Sequence, residues 1–125
     1  MTKKRILIVD DDDISRYLLK GFLKTEENYV VETVKSAKDC LSFIEKNDVD
    51  LIISDVIMSN LDGLQMCEIL LSKDETSKIP VILSSIKDEI DVTRKSRNYK
   101  NVKKIVQKPY DRDILLSDLK EICRL

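Results

Sequence analysis

Short, almost wholly apolar runs alternate along this chain with longer stretches of helical period, and that alternation restricts the fold more than any other feature. The runs are RILIV (5–9), YVVETV (29–34), DLIIS (50–54), IPVILSS (79–85) and KKIVQ (103–107). DLIIS is apolar on both of its alternating faces, as a strand covered above and below must be. Pro80 is tolerable only near the start of its run, because it cannot donate to a ladder. Between the runs, apolar residues recur at helical intervals. Ile14, Leu18 and Phe22 predict one buried stripe, and Ala37, Leu41 and Ile44 a second, which Ser36 and Asp39 open at capping-box spacing. LQMCEILLS (64–72) predicts a third helix, and Leu115, Leu119 and Ile122 the stripe of the last. Residues 87–101 hold few apolar side chains, so a short or mobile helix is expected there. Strands alternating with helices imply right-handed crossovers and a parallel sheet. The expected fold is α/β: a doubly wound, five-stranded parallel sheet with helices on both faces.

The length of 125 residues fits one domain, 1–125, without linker or repeat, so no output domain is expected. A net charge of −1 argues against a general nucleic-acid or membrane binder. The first apolar run is too short for a signal segment or a membrane span, which makes a cytoplasmic protein the expectation. Cys40, Cys67 and Cys123 have no CxxC spacing, so they read as small hydrophobes rather than as zinc ligands or a disulfide framework. The chain has no histidine. That excludes Ser-His-Asp and Cys-His catalysis, histidine metal ligation and a phosphohistidine of its own.

Ligands of open α/β sheets bind outside the carboxyl ends of the strands. There the first run ends in Asp10 and Asp11, the third in Asp55, the fourth in Ser84 and Ser85, and the fifth in Lys108 before Pro109. Two carboxylates about 4 Å apart repel by about 4 kcal/mol at an effective dielectric of about 20. A hard divalent cation relieves this, and oxygen-only ligands suit Mg2+ or Mn2+. With a cation held by Asp10 and Asp11, Asp55 becomes the natural nucleophile toward phosphorus, forming an acyl phosphate. Lys108 and a serine hydroxyl would neutralise charge on the transferring group. Ser84 and Ser85 compete for that place, and spacing from Pro80 favours Ser85. Asp12 and Asp13 read as capping or solvated residues, with Asp13 at the helix N-cap. Asp62 and Gly63 read as the turn that starts the third helix.

The stretches LIVDDDDISR, DLIISDVIMSNLDGL, PVILSS and VQKPY, in this order across essentially the whole chain, resemble the receiver domain of two-component response regulators. The single-domain chemotaxis regulator is one example of the type it resembles. The resemblance implies the flavodoxin-like receiver fold, with Asp55 as phosphoacceptor and Asp10 and Asp11 as the acidic pair. It makes the backbone carbonyl of Ile57 a further metal ligand, Ser85 the switch hydroxyl, Lys108 the site lysine, and Pro109 the residue after a cis peptide. It also implies Mg2+ (or Mn2+), a sensor histidine kinase or histidine phosphotransfer protein as donor, and a downstream protein target. Such a module signals rather than turning over a substrate. Its changing surface would be formed by the fourth helix, fifth strand and fifth helix, where Arg94, Lys95, Arg97, Lys100, Lys103 and Lys104 stand without an acid among them. They read as a solvated face or as a docking surface for an acidic partner. With one tyrosine nearby and no stacking platform, direct nucleic-acid binding is not expected.

Several positions depart from the family pattern. Ser59 replaces a usual proline, Ser85 a commoner threonine, Ile86 a small residue, and Ile105 the aromatic that swings inward in many members. Ile57 and Lys87 would flank the path of the hydrolytic water, and an apolar Ile57 implies slow hydrolysis of the phosphoaspartate. Two other function classes compete. One is a receiver-fold interaction module that works without phosphorylation. The other is a small haloacid-dehalogenase-like phosphatase, with Asp10 as nucleophile and Asp12 as general acid.

Overall fold

All five apolar runs become strands, the second with the bounds read from the sequence and the others with ends within two residues of them. A computed structural model describes residues 3–58, 60–86 and 90–123. The elements follow in strict alternation: β1 (Lys4–Val9), α1 (Asp13–Lys24), β2 (Tyr29–Val34), α2 (Ala37–Lys46), β3 (Leu51–Asp55), α3 (Gly63–Leu71), β4 (Val81–Ser85), α4 (Ile90–Ser96), β5 (Val102–Gln107) and α5 (Arg112–Cys123). The sheet order is β2-β1-β3-β4-β5, and every pairing is parallel. The chain moves outward from β1 to β2 and then returns to the other side of β1 with β3. The crossovers therefore diverge between β1 and β3, which opens a crevice at the carboxyl ends of those two strands.

The side-chain period of two sends each strand's apolar residues to two separate cores. Leu7, Val9, Ile52, Val81 and Leu83 pack with Ala37, Cys40, Met66, Cys67 and Leu70 of α2 and α3. Ile6, Ile8, Leu51, Ile53 and Ile82 pack with Leu19 and Leu23 of α1 and Leu115, Leu116 and Leu119 of α5. Burying each Leu or Ile contributes about 1.5–3 kcal/mol. The central strands are apolar on both faces because both faces are covered. In α2, Cys40 and Ala37 sit deepest, while Leu41 and Ile44 are half-buried against the same core. The helix α4 is short, as its sparse apolar content predicts, at seven residues.

The stripe expected for α1 is on the wrong face. Ile14 (69% exposed), Tyr17 (79%) and Leu18 (50%) point to solvent, whereas Leu19 and Leu23 are fully buried. Phe22 is half-buried. Residues 14, 18 and 22 and residues 19 and 23 share the same four-residue spacing, so periodicity offered two stripes about 100° apart. Which one meets the sheet depends on how the helix is launched. Here Asp12, not Asp13, is the N-cap: its backbone is extended (φ −88°, ψ 118°) and its carboxylate accepts the Ser15 amide. Ser36 caps α2 as expected, accepting the Asp39 amide at 3.0 Å. Asp62 caps α3 in a complete capping box with Gln65.

Cys40 and Cys67 are buried, and burial raises both thiols to about 12, so they act as small hydrophobes. Cys123 is only half-buried. Among the described residues, no helix is long and apolar enough to cross a membrane.

Candidate functional site

The carboxylates of Asp10, Asp11 and Asp55 come together in the crevice between β1 and β3, with an oxygen of each within 4.8 Å of the others. Asp10 directly follows β1 and Asp55 closes β3, and both are buried while Asp11 is exposed. The backbone sets this arrangement. The Asp10 amide still donates to the Val34 carbonyl (3.2 Å), and the Val56 amide to the Ser84 carbonyl (3.0 Å), so both strand ends stay tied to their neighbours. Gly63 brings the start of α3 against the end of β3, its amide donating to the Val56 carbonyl at 2.8 Å. A Cβ on Gly63 would lie 2.5 Å from the Asp55 carbonyl oxygen, so only glycine permits this approach. The turn reading of Asp62 and Gly63 understated them, because Gly63 shapes the backbone that carries Asp55.

Lys108 joins the cluster from the end of β5. Its ammonium donates to Asp10 Oδ2 at 2.9 Å and to Asp55 Oδ2 at 3.1 Å. Its amide donates to the Ser85 carbonyl at 2.7 Å, and the Lys108–Pro109 bond is cis. Burial pulls the ammonium down, but the Asp10 hydrogen bond, Tyr110 and the charges of Asp55 and Asp10 outweigh it and hold it up at about 12. Burial pushes the Asp55 carboxyl above the usual carboxylate range; Lys108 opposes this, and repulsion from Asp10 and Asp11 adds to it. Three carboxylates and one ammonium leave a formal charge of −2 lined by hard oxygens. That donor set fits a divalent cation with water in its remaining positions.

The two serines of β4 face opposite ways, as successive strand residues must. Ser84 is fully buried and pairs across the sheet with Asp55. Its hydroxyl accepts from Tyr110 Oη at 3.0 Å and lies 3.5 Å from the Ser54 carbonyl. Tyr110 thereby anchors the segment that carries Lys108, a role that the quoted VQKPY motif did not signal. Ser85, one residue further on, is buried at the strand end. Ile57 and Ile86, just beyond the ends of β3 and β4, are 65% and 67% exposed. Ile105 is half-buried against the α2/α3 core. Lys87 and Ser59 lie outside the described residues.

The response regulator receiver domain family matches residues 6–120 of this chain. The chain belongs to that family. Protein PilH of Pseudomonas aeruginosa is 28% identical over 118 residues, covering 94% of this chain and 96% of PilH. The heme response regulator HssR of Staphylococcus epidermidis is 33% identical over 119 residues, covering 94% of this chain but half of HssR. Among solved structures, the receiver domain of a signal transduction histidine kinase from Syntrophus aciditrophicus superposes with a TM-score of 0.86 at 30% identity, over 97% of this chain and 90% of that one. Receiver domains bind Mg2+ at an acidic pocket and work with histidine kinases or phosphotransfer proteins, as signalling modules of two-component systems. This chain has an acidic cluster, Asp10, Asp11 and Asp55, with oxygens near enough to one another to hold a metal ion.

Proposed function

We propose that this receiver takes a phosphoryl group from a partner's phosphohistidine onto Asp55. An Asp55 carboxylate oxygen attacks phosphorus, the P–N bond breaks, and the imidazole leaves with a proton from water. The observation that carries this reading is Lys108, whose one ammonium bridges Asp10 and Asp55 at the switch point of the sheet. Asp10, Asp11, Asp55 and the Ile57 carbonyl would hold Mg2+ (or Mn2+), which supplies charge neutralisation at the phosphoryl oxygens when bound. Lys108 orients Asp55 and balances charge on the opposite side, while the Ser85 hydroxyl receives a phosphoryl oxygen. Ile57, Ile86 and Lys87 modulate access of water. The exposed, apolar Ile57 gives water no hydrogen bond, which favours a long-lived phosphoaspartate. The response reaches a downstream protein through α4, β5 and α5. Ile105, half-buried and aliphatic, takes the place of a swinging aromatic in that response.

The phosphatase reading fits less well. Asp12 is engaged as a helix cap, and its hydrogen bonds with Ser15 hold its carboxyl below the usual range, opposite to what a general acid needs.

The test is intact mass after incubation with Mg2+ and either a small phosphodonor or a phosphohistidine protein. The expected result is one added phosphoryl group on the wild type and none on Asp55→Asn. Its decay should be slow and should quicken in Ile57→Asn. A wild type left unmodified by every donor would sink the reading, and beryllofluoride with Mg2+ leaving α4 and β5 NMR signals unmoved would favour a phosphorylation-independent module.

A further inference from the structure

The run Asp10–Asp13 places four like charges together, and Asp10, Asp12 and Asp13 have separate partners. Asp10 meets Lys108 and the Asp12 amide, and Asp12 caps α1. Asp13 belongs to neither set. Its carboxylate accepts from Nη2 of Arg16, whose Nη1 donates to the main-chain carbonyl of Asp10 at 2.8 Å. The Arg16 side chain is 13% exposed and Asp13 is 81% exposed, so the guanidinium is packed and the carboxylate that holds it faces solvent. We propose that Arg16 is a positioning residue for the divalent-cation site, acting through the backbone of Asp10. This rests on the Mg2+ reading above.

The physical reason lies in the peptide that joins Asp10 to Asp11. The Asp10 amide is held by β2 through the Val34 carbonyl, so the residue is anchored on its N-terminal side. Its carbonyl has left the sheet ladder, and without a donor the following peptide plane could turn about the Asp10 Cα–C bond. Turning that plane swings the Asp11 carboxylate, since two soft dihedrals per residue set where the next side chain points. Arg16 supplies the donor from the first turns of α1, so the helix launched by Asp12 returns to fix the loop before it. Asp13 fixes the other arm of the fork. A lysine keeps the charge but has no planar pair of donors with which to span a carbonyl and a carboxylate. Charge alone gives no reason for this residue, because a cation beside a dication site weakens binding.

That opposition of signs makes the proposal testable without phosphorylation. Mg2+ titrations followed by NMR, with no phosphodonor present, compare wild type, Arg16→Lys and Arg16→Ala, and thermal unfolding in metal-free buffer checks that each variant folds. Arg16→Lys is expected to weaken Mg2+ binding about tenfold, the lower end for partners that orient metal ligands. It should also shift the Asp11 and Asp12 amide signals in the metal-free protein. Arg16→Ala should weaken binding as well, although loss of a nearby cation would by charge alone strengthen it. Unchanged affinity in Arg16→Lys with unmoved Asp11 signals, or tighter binding in Arg16→Ala, would overturn the proposal and leave the Mg2+ reading intact. A wild type that takes up no Mg2+ would overturn both.

Discussion

Two lysines near the end of the sheet each meet a buried aspartate at almost the same distance. Lys104, within β5, reaches Asp118 of α5 at 3.1 Å, and Lys108, just beyond β5, reaches Asp10 at 2.9 Å and Asp55 at 3.1 Å. The distances alone would rank them as equals. Their surroundings do not: the Lys104 side chain is 44% exposed and that of Lys108 is 12% exposed. Water screens the first pair and competes for its ammonium, whereas the second sits in the crevice between strand ends. Arg94, Lys95, Arg97, Lys100 and Lys103 are exposed as Lys104 is, so Lys104 belongs to a solvent-facing basic stretch. Lys108 neutralises part of an acidic cluster. The same ion pair is decoration in one place and a structural requirement in the other.

Removing each lysine should separate the two environments sharply. Lys108→Ala leaves Asp10 and Asp55 buried together without a cation. Breaking a fully buried pair costs about 3–5 kcal/mol, and partial exposure of this ammonium reduces the expected loss to about 2 kcal/mol. Denaturant unfolding in metal-free buffer measures it, and added Mg2+ should restore part of it. A loss no larger than that of Lys104→Ala would erase the contrast.

A smaller effect of opposite sign is expected from Asp55→Asn. The folded protein holds Asp55 above its ordinary value, chiefly by burial, so ionising it costs stability. That stability is fully present below the unfolded value near 3.8 and is lost as pH rises through the raised folded value. At neutral pH without Mg2+, Asp55→Asn should therefore be the more stable protein. The advantage should shrink as pH falls and Asp55 takes up a proton. An Asp55→Asn protein less stable than wild type at pH 7 would mean that the Lys108 pair outweighs burial. Smallest of all, Lys104→Ala should leave the unfolding midpoint close to wild type, and its salt dependence should be correspondingly slight.

The residues that carry the proposed chemistry were legible because strand ends are legible. A run such as DLIIS followed by aspartate marks both a buried strand and what emerges from it, and a parallel sheet brings all such ends to one edge. Asp10, Asp11, Asp55 and Lys108 could be named from the sequence, and the fold brings all four together in the crevice. Where one residue of offset decides the outcome, the sequence was mute. Ile14, Leu18 and Phe22 repeat at the spacing of a buried face, yet the launch of α1 from Asp12 turned Leu19 and Leu23 inward. The same offset moved the cap from Asp13 to Asp12 and left Asp13 for Arg16. Arg16, Gly63 and Tyr110 act through contacts with residues or backbone that periodicity does not address.

By itself, the order of residues determined the alternating α/β layout, the all-oxygen donor set and the absence of histidine chemistry, because period, composition and strand-end position are local properties. Tertiary structure alone decided which stripe of α1 is buried, that Ser84 is taken by Tyr110, and that a backbone carbonyl of Asp10 rests on Arg16. Those outcomes depend on the angle and offset at which elements dock. Such angles are fixed by close packing between segments far apart in the chain, and no local pattern records them.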